Sequence, residues 1–235
     1  MLQMNLCLSG LAGCFAPEVV DEAVRTIRAD HPPRAVSLNE VCSRDAADIA
    51  RRTGLHVRFT AVKYRGALLP CVKPGGRGLF GNAVLTEERI VASEDQAFAA
   101  QFGLEERRWI CVTTSRDVNV CSAHLGATAG PDRQRANAEQ CAELATLLTG
   151  YAEKGPTIFA GDVNRRKSCA PDGYWVSTDI DADAEAGQAP GIQHVYGSGA
   201  FSSPRGTVVP AAHTDHDYLR VDTRLAPRAR AEESD

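Results

Sequence analysis

Thr157-Ile158-Phe159-Ala160-Gly161-Asp162-Val163-Asn164 begins as an apolar run and ends on two polar side chains that flank one apolar residue. Its β-branched and aromatic content and its short length read as a buried strand over residues 157–160. Side chains alternate along extended chain, so Asp162 and Asn164 are expected on one face of one pocket while Val163 turns to the core. The competing reading is an ordinary Gly-Asp turn.

Working outward, residues 132–148 carry Ala138, Cys141, Ala142, Leu144, Ala145 and Leu148 at helical spacing, and the helix is expected to end before Gly150. Two strands precede it, residues 109–114 and 118–123, joined by the turn Ser115-Arg116-Asp117. At the N-terminus the pattern reads βαβαβ: strand 3–8, helix 17–29, strand 35–39, helix 43–52 capped by Ser43 and stopped by Gly54, then strand 56–62. Residues 64–81, with Pro74, Gly75, Gly76 and Gly78, read as a long loop before a strand at 82–85. Residues 165–190 read as loop, strands return at 194–196 and 218–223, and 226–235 reads as a disordered tail behind a single domain over 1–225. Many strands with a few helices predict an α/β (α+β) sandwich of two packed sheets flanked by helices.

The chain has 235 residues, 43% hydrophobic, enough for one large core, and a formal net charge of -4. That charge gives no global basic field, so contact with nucleic acid would rest on a local cleft. No apolar run approaches the roughly 18 residues needed to span a bilayer. Eight cysteines, Cys7, Cys14, Cys42, Cys71, Cys111, Cys121, Cys141 and Cys169, form an even set without a CxxC pair. A zinc module is not expected; four disulfides in an exported protein and buried thiols in a cytoplasmic one both fit, with Cys7–Cys14 and Cys111–Cys121 as local pairs.

Five segments place acidic, amide or imidazole groups at the end of an apolar strand: Met4-Asn5, Leu38-Asn39-Glu40, Ala123-His124-Leu125, Gly161-Asp162-Val163-Asn164 and Thr214-Asp215-His216-Asp217. Each alone is weak, since a lone acid after a strand is usually a solvated turn residue. Taken in order as QMN, SLNEV, GNAVLT, CSAHL, FAGDVN and HTDHDYL, they resemble the endonuclease/exonuclease/phosphatase superfamily, whose fold is the deoxyribonuclease I-like four-layer sandwich.

The resemblance implies roles. Glu40 and Asp215 would hold a divalent cation, Mg²⁺ or Mn²⁺, with Asn5 beside it, and hard oxygen donors suit such ions. Asp162 would direct the attacking water, while His216, His124 and Asn164 would bind and neutralise the phosphoryl group. Asn82 and Gln193 would line the same cleft against the substrate. Arg165, with Arg166 and Lys167 at the mouth, would hold further phosphates, though a charge run is also an ordinary solvated loop; Arg77 is a weaker candidate.

One position departs from the family pattern. Where family members carry an Asp that orients the catalytic histidine, this chain has Gln193. In the serine-protease triad the comparable Asp-to-Asn change lowers kcat roughly 10⁴-fold. Either Asp179, Asp181 or Asp183 supplies the charge, or the mechanism tolerates Gln193, or the protein has diverged; retention of every metal-side group favours tolerance.

The expectation is a monomeric metal-dependent phosphoesterase, first a nuclease for DNA or RNA. The alternatives are a phosphatase or phosphodiesterase for a small-molecule or lipid phosphoester, and a noncatalytic binding module. The loops at 64–81 and 178–188 are expected to set specificity.

Overall fold

The computed structural model describes residues 1–181 and 189–227. The N-terminal half runs β1 (Leu2–Asn5), α1 (Val19–Arg28), β2 (Ala35–Cys42), α2 (Ser43–Thr53), β3 (His56–Ala61), the short pair β4 (Lys63–Tyr64) and β5 (Ala67–Leu68), then β6 (Phe80–Thr86) and β7 (Ile90–Ala97). The C-terminal half runs β8 (Arg108–Thr114), β9 (Asn119–His124), α3 (Pro131–Lys154), β10 (Thr157–Asp162), β11 (Trp175–Thr178), β12 (Gln193–Gly197), β13 (Phe201–Val209) and β14 (Tyr218–Leu225). Two six-stranded mixed sheets result, ordered β13-β14-β1-β2-β6-β3 and β11-β12-β10-β9-β8-β7.

Each sheet is built around one parallel pair joined through a helix. α1 links β1 to β2, and α3 links β9 to β10. Three apolar interfaces separate four layers, as the α/β sandwich reading requires. Met4, Leu6, Val19, Ala23, Leu38 and Ile49 join the first sheet to α1 and α2. Phe98, Leu144, Leu148, Phe159 and Tyr196 join the second sheet to α3. Val84, Ile110, Val112, Val120, Ile158, Ala160, Val195 and Leu219 fill the space between the sheets.

The period-two alternation of the strands then does something specific. Ile158 and Ala160 belong to the core between the sheets, and Asp162 continues the same row. On β2 the row is Ala35, Ser37, Asn39; on β9 it is Val120, Ser122, His124; on β1 it is Met1, Gln3, Asn5. The register sets these rows side by side, pairing Asn5 with Asn39, Asp162 with His124, and Asp162 with Gln193. The inner face thus changes from apolar to polar toward the C-terminal ends of the parallel strands.

Several element boundaries differ from the sequence expectation. The first strand stops at Asn5 because Cys7 turns into the left-handed region at φ 49° and closes a disulfide with Cys14. Ser43 does not cap α2; Cys42 stands at that position, and the Ser43 hydroxyl accepts the Leu79 N–H at 3.1 Å. Gly54 does end α2, at φ 74°. α3 passes through Gly150 to Lys154, because Tyr151 packs into the core and its hydroxyl donates to Glu94 at 2.8 Å. A helix-interior glycine costs only about 1 kcal/mol, which that packing outweighs. β4 straddles the start of the expected 64–81 loop and β5 lies inside it, β11 lies inside the 165–190 loop, and β7 and β13 had no sequence counterpart. β7 is exposed from Val91 to Gln96 and so lacks the apolar alternation that marks a strand.

All eight cysteines pair, as Cys7–Cys14, Cys42–Cys71, Cys111–Cys121 and Cys141–Cys169. Both local pairs expected from spacing are among them. No described helix is long and apolar enough to cross a membrane.

Candidate active site

Glu40 does not follow the simple alternation of its strand. A bulge falls between Leu38 and Val41 in the β2–β6 pairing, and Glu40 sits at φ 54°, which re-aims its carboxylate along the strand-end rim. Asn164 reaches the site by a comparable route. β10 ends at Asp162, and Asn164 lies beyond it at φ 54°, its N–H donating to Asp162 Oδ1 at 2.9 Å. Asp162 and Asn164 therefore share a pocket through a side-chain-capped turn, not through an extended strand, while Val163 is buried in the α3-side core as expected.

These groups converge. Asn5 Nδ2 donates to Glu40 Oε1 and Asp162 Oδ2, both at 3.1 Å. His124 Nε2 lies 3.9 Å from Glu40 Oε1 and 3.8 Å from Asp162 Oδ2. His216 Nε2 lies 3.6 Å from Asp162 Oδ2 and 3.9 Å from Asp215 Oδ1. Asn164 Nδ2 is 3.1 Å from His124 Nε2 and donates to Leu125 O at 2.9 Å. Asp215 enters from the other flank, against the sulfurs of Cys7–Cys14. Those sulfurs are spent in a disulfide, so the donors left for a metal are hard oxygens of Glu40, Asp162 and Asp215, which fit Mg²⁺ or Mn²⁺. Burial and then the Glu105 charge push the Glu40 carboxyl up to about 7, against the Asn5 hydrogen bond and the Arg107 charge. Burial, and then the Arg107 charge, hold His124 well below the usual imidazole range.

Other expected members face different partners. Asn5, expected beside the cation, turns its amide N–H to the two carboxylates, and its oxygen accepts the Cys7 N–H at 3.3 Å. Asn82 is 2% exposed and its Oδ1 accepts from Asn39 at 3.1 Å, so it supports the inner row and does not face substrate. Gln193 is fully buried and likewise cannot reach substrate; its Nε2 lies 3.1 Å from His216 Nδ1. Gln193 therefore occupies the place of the family Asp. Asp179 stands behind it, accepting the Gln193 backbone N–H at 2.8 Å, Asp181 is exposed, and Asp183 lies outside the described residues. Arg165 turns back to Asn137 Oδ1 on α3 at 3.3 Å, and the exposed Arg166 donates to Pro190 O at 3.1 Å. Arg77 is structural: it pairs with Asp45 at 2.8 Å and donates to Leu8 O and Val72 O, pinning the Gly-rich loop to the segment after β1.

Gln3, Asn39 and Arg107 were missed. Asn39 Oδ1 accepts the Asp162 backbone N–H and Gln3 Nε2, both at 2.8 Å, and Gln3 Nε2 also donates to Gln193 Oε1 at 2.9 Å. Arg107 Nη1 lies 3.0 Å from His124 Nδ1 and 2.9 Å from Glu105. Gln3 and Asn39 carried a legible signal, each sharing a strand face with a polar neighbour two residues away; Arg107 follows a loop and carried none.

The sequence matches the Endonuclease/Exonuclease/phosphatase family over residues 13–216. No curated protein matches it in sequence. Among solved structures it is similar to an endonuclease/exonuclease/phosphatase from Beutenbergia cavernae DSM 12333, at TM-score 0.70 and 19% identity over 98% of this chain and 72% of that one. It is also similar to the human Nocturnin catalytic domain with bound sulfate anion, at TM-score 0.72 and 17% identity over 96% of this chain and 92% of that one. A third likeness is the mannosyl-6-phosphatase Bt3783 of Bacteroides thetaiotaomicron VPI-5482, at TM-score 0.60 and 12% identity over 96% of this chain and all of that one. With two mixed sheets in four layers, and acids, amides and imidazoles gathered at their strand ends, the chain belongs to the endonuclease/exonuclease/phosphatase family of phosphoesterases.

Proposed function

We propose that this protein is a metal-dependent phosphodiesterase, acting first as a nuclease on DNA or RNA. The observation that carries the reading is the convergence of Glu40, Asp162, His124 and His216 within 4 Å contacts drawn from β2, β10, β9 and the segment before β14. Glu40 and Asp215 hold Mg²⁺ or Mn²⁺, and Asn5 orients the Glu40 and Asp162 carboxylates. Bound there, the ion supplies charge stabilisation for the phosphoryl oxygens. Asp162, held by the Asn39-anchored backbone and the Asn164 N–H, accepts the proton of the attacking water. His124, His216 and Asn164 donate to the phosphoryl oxygens.

A cavity of about 270 Å³ adjoins the His124 side and is lined by Tyr64, Phe102, Arg107, Arg133 and Gln140. Aromatic faces beside guanidinium groups suit a nucleobase and its phosphate, which supports the nucleotide substrate. The small-molecule phosphoester is the second reading, supported by the net charge of -4 and by Arg165 turning away from the mouth. The chain is proposed to act as a monomer, and its four disulfides support an exported protein. Retention of the whole donor set argues against a noncatalytic module.

The test is nicking of supercoiled plasmid at one fixed low salt, with Mg²⁺, with excess chelator, and with Glu40→Gln and His216→Ala. Nicking that needs both the ion and both side chains is expected. Metal-stimulated release of phosphate from sugar phosphates, with no nicking, would replace the nuclease by the second reading; no turnover of either would overturn the enzyme.

A further inference from the structure

We propose that both site imidazoles are held in one tautomer, the ring proton on Nε2 facing the pocket, by donors fixed at Nδ1, and that Gln3, Gln193 and Arg107 are the positioning residues that hold it. The inference takes from the proposed function only that these two rings face the phosphoryl group.

For His216 the polarity can be followed atom by atom from a group that cannot be reversed. The backbone N–H of Asp162 only donates, and its acceptor, 2.8 Å away, is Asn39 Oδ1. That fixes the Asn39 amide, whose nitrogen then faces Asn82 Oδ1 at 3.1 Å. Asn39 Oδ1 takes a second bond at 2.8 Å from Gln3, so the Gln3 atom there is Nε2. The same nitrogen is 2.9 Å from Gln193, which must present Oε1 to it. The Gln193 nitrogen is left facing His216 Nδ1 at 3.1 Å. A donor opposite Nδ1 requires a lone pair there, so the ring proton sits on Nε2, on the side of Asp162 Oδ2 and Asp215 Oδ1.

Gln3, Asn39 and Gln193 are fully buried, so no bulk water compensates a reversed amide. The arrangement even leaves Gln3 Oε1 buried without a hydrogen-bond partner. Turning the Gln3 amide over would satisfy nothing and would set its oxygen against the oxygens of Asn39 and Gln193.

His124 reaches the same state by a shorter route. Arg107 Nη1 lies 3.0 Å from His124 Nδ1, and a guanidinium has no acceptor, so this ring too keeps its lone pair on Nδ1 and its proton on Nε2. Asn164 Nδ2, which donates to Leu125 O, lies 3.1 Å from His124 Nε2 and competes as a neutral donor for the ring's one lone pair; the charged guanidinium at Nδ1, the stronger donor, takes it. The amide at Gln193 is thus the counterpart of Arg107. Each replaces an acceptor behind a ring by a donor, and the pocket receives two matched N–H groups.

The test is a long-range ¹H–¹⁵N correlation spectrum of the full chain labelled with ¹⁵N-histidine, recorded without substrate, with and without Mg²⁺. The two rings are assigned through His124→Asn and His216→Asn. Expected are two Nε2–H tautomer patterns in the unmodified protein. Gln193→Glu moves the His216 proton to Nδ1 and leaves His124 unchanged, and Arg107→Met releases His124 alone. Gln3→Met, which frees the Gln193 amide to turn, gives a tautomer mixture at His216. A proton on Nδ1 of either ring in the unmodified protein overturns the proposal, as do variants that leave both tautomers unmoved. These spectra require no turnover, so an inert protein can still carry the relay, and an active one with Nδ1–H rings would sink the relay while sparing the phosphoesterase.

Discussion

The space between the two sheets has two halves made by the same strands. One is filled by Val84, Ile110, Val112, Val120, Ile158, Ala160, Val195 and Leu219. The other, one or two pleats along, holds Gln3, Ser37, Asn39, Asn82, Ser122 and Gln193, all 2% exposed or less. Ser37 and Ser122 hydroxyls meet across the gap at 2.7 Å, and Asn39 Nδ2 lies 3.4 Å from Ser122. The apolar half supplies burial free energy and would accept repacking by similar volumes. The polar half contributes less net stability per group but fixes direction, since each buried amide must meet a partner of the right sense. A sandwich needs only the first half, whereas a site whose carboxylates and imidazoles must hold their positions rests on the second.

The sharpest break of that comparison is at the rim itself. Asp162→Asn is expected to lower kcat by about 10³-fold or more while the circular dichroism spectrum and melting temperature stay close to those of the unmodified protein. A variant that unfolds instead would make Asp162 structural.

Next come paired substitutions, one in each half. Leu219→Ala, deep in the apolar half, should cost about 3 kcal/mol in chemical denaturation with the activity per folded molecule unchanged. Asn39→Ala should cost about 2–3 kcal/mol, because the Asp162 N–H and Gln3 are left without their acceptor, and should lower kcat as well. If Asn39→Ala lost stability alone, the polar half would be merely structural.

Asp179 sharpens the comparison through pH. Burial, and then the neighbouring Asp162 charge, push its carboxyl from the ordinary 3.8 up to about 6, against the hydrogen bond from the Gln193 N–H. The folded protein then holds this proton more tightly than the unfolded chain, so its contribution to stability falls as pH rises from 3.8 to about 6 and is level above. Asp179→Asn keeps an oxygen for the Gln193 N–H and removes that slope. It should be more stable than the parent above pH 6 by about 2–3 kcal/mol, with little difference near pH 4, as urea melts across the range would show. Equal slopes in the two proteins would locate the titration elsewhere.

The smallest effect is expected outside both halves. Arg34 pairs with Glu87 and Glu88 on the exposed surface, and Arg34→Ala should change stability by less than about 1 kcal/mol and leave turnover as it was.

Sequence alone determined the layered architecture, the family, and the strand ends that carry Glu40, Asp162 and His124; residues 214–217, expected to close a strand, instead place His216 in the segment that leads into β14. It did so because strand alternation and apolar runs are local, and because the polar residues that close those strands stand out against them. The two local disulfides were legible for the same reason. Tertiary structure decided the rest. A bulge, not strand alternation, aims Glu40, and a left-handed turn aims Asn164, since backbone φ is set by pairing partners far along the chain. Asn82 and Gln193 moved from substrate contact to support because burial depends on which sheet faces them. The partners of the two histidines, Gln193 reached through Gln3 and Arg107 reached through a loop, lie 23 and 17 residues away in sequence. No local pattern encodes which amide atom faces a ring; only the closed network between the sheets sets it.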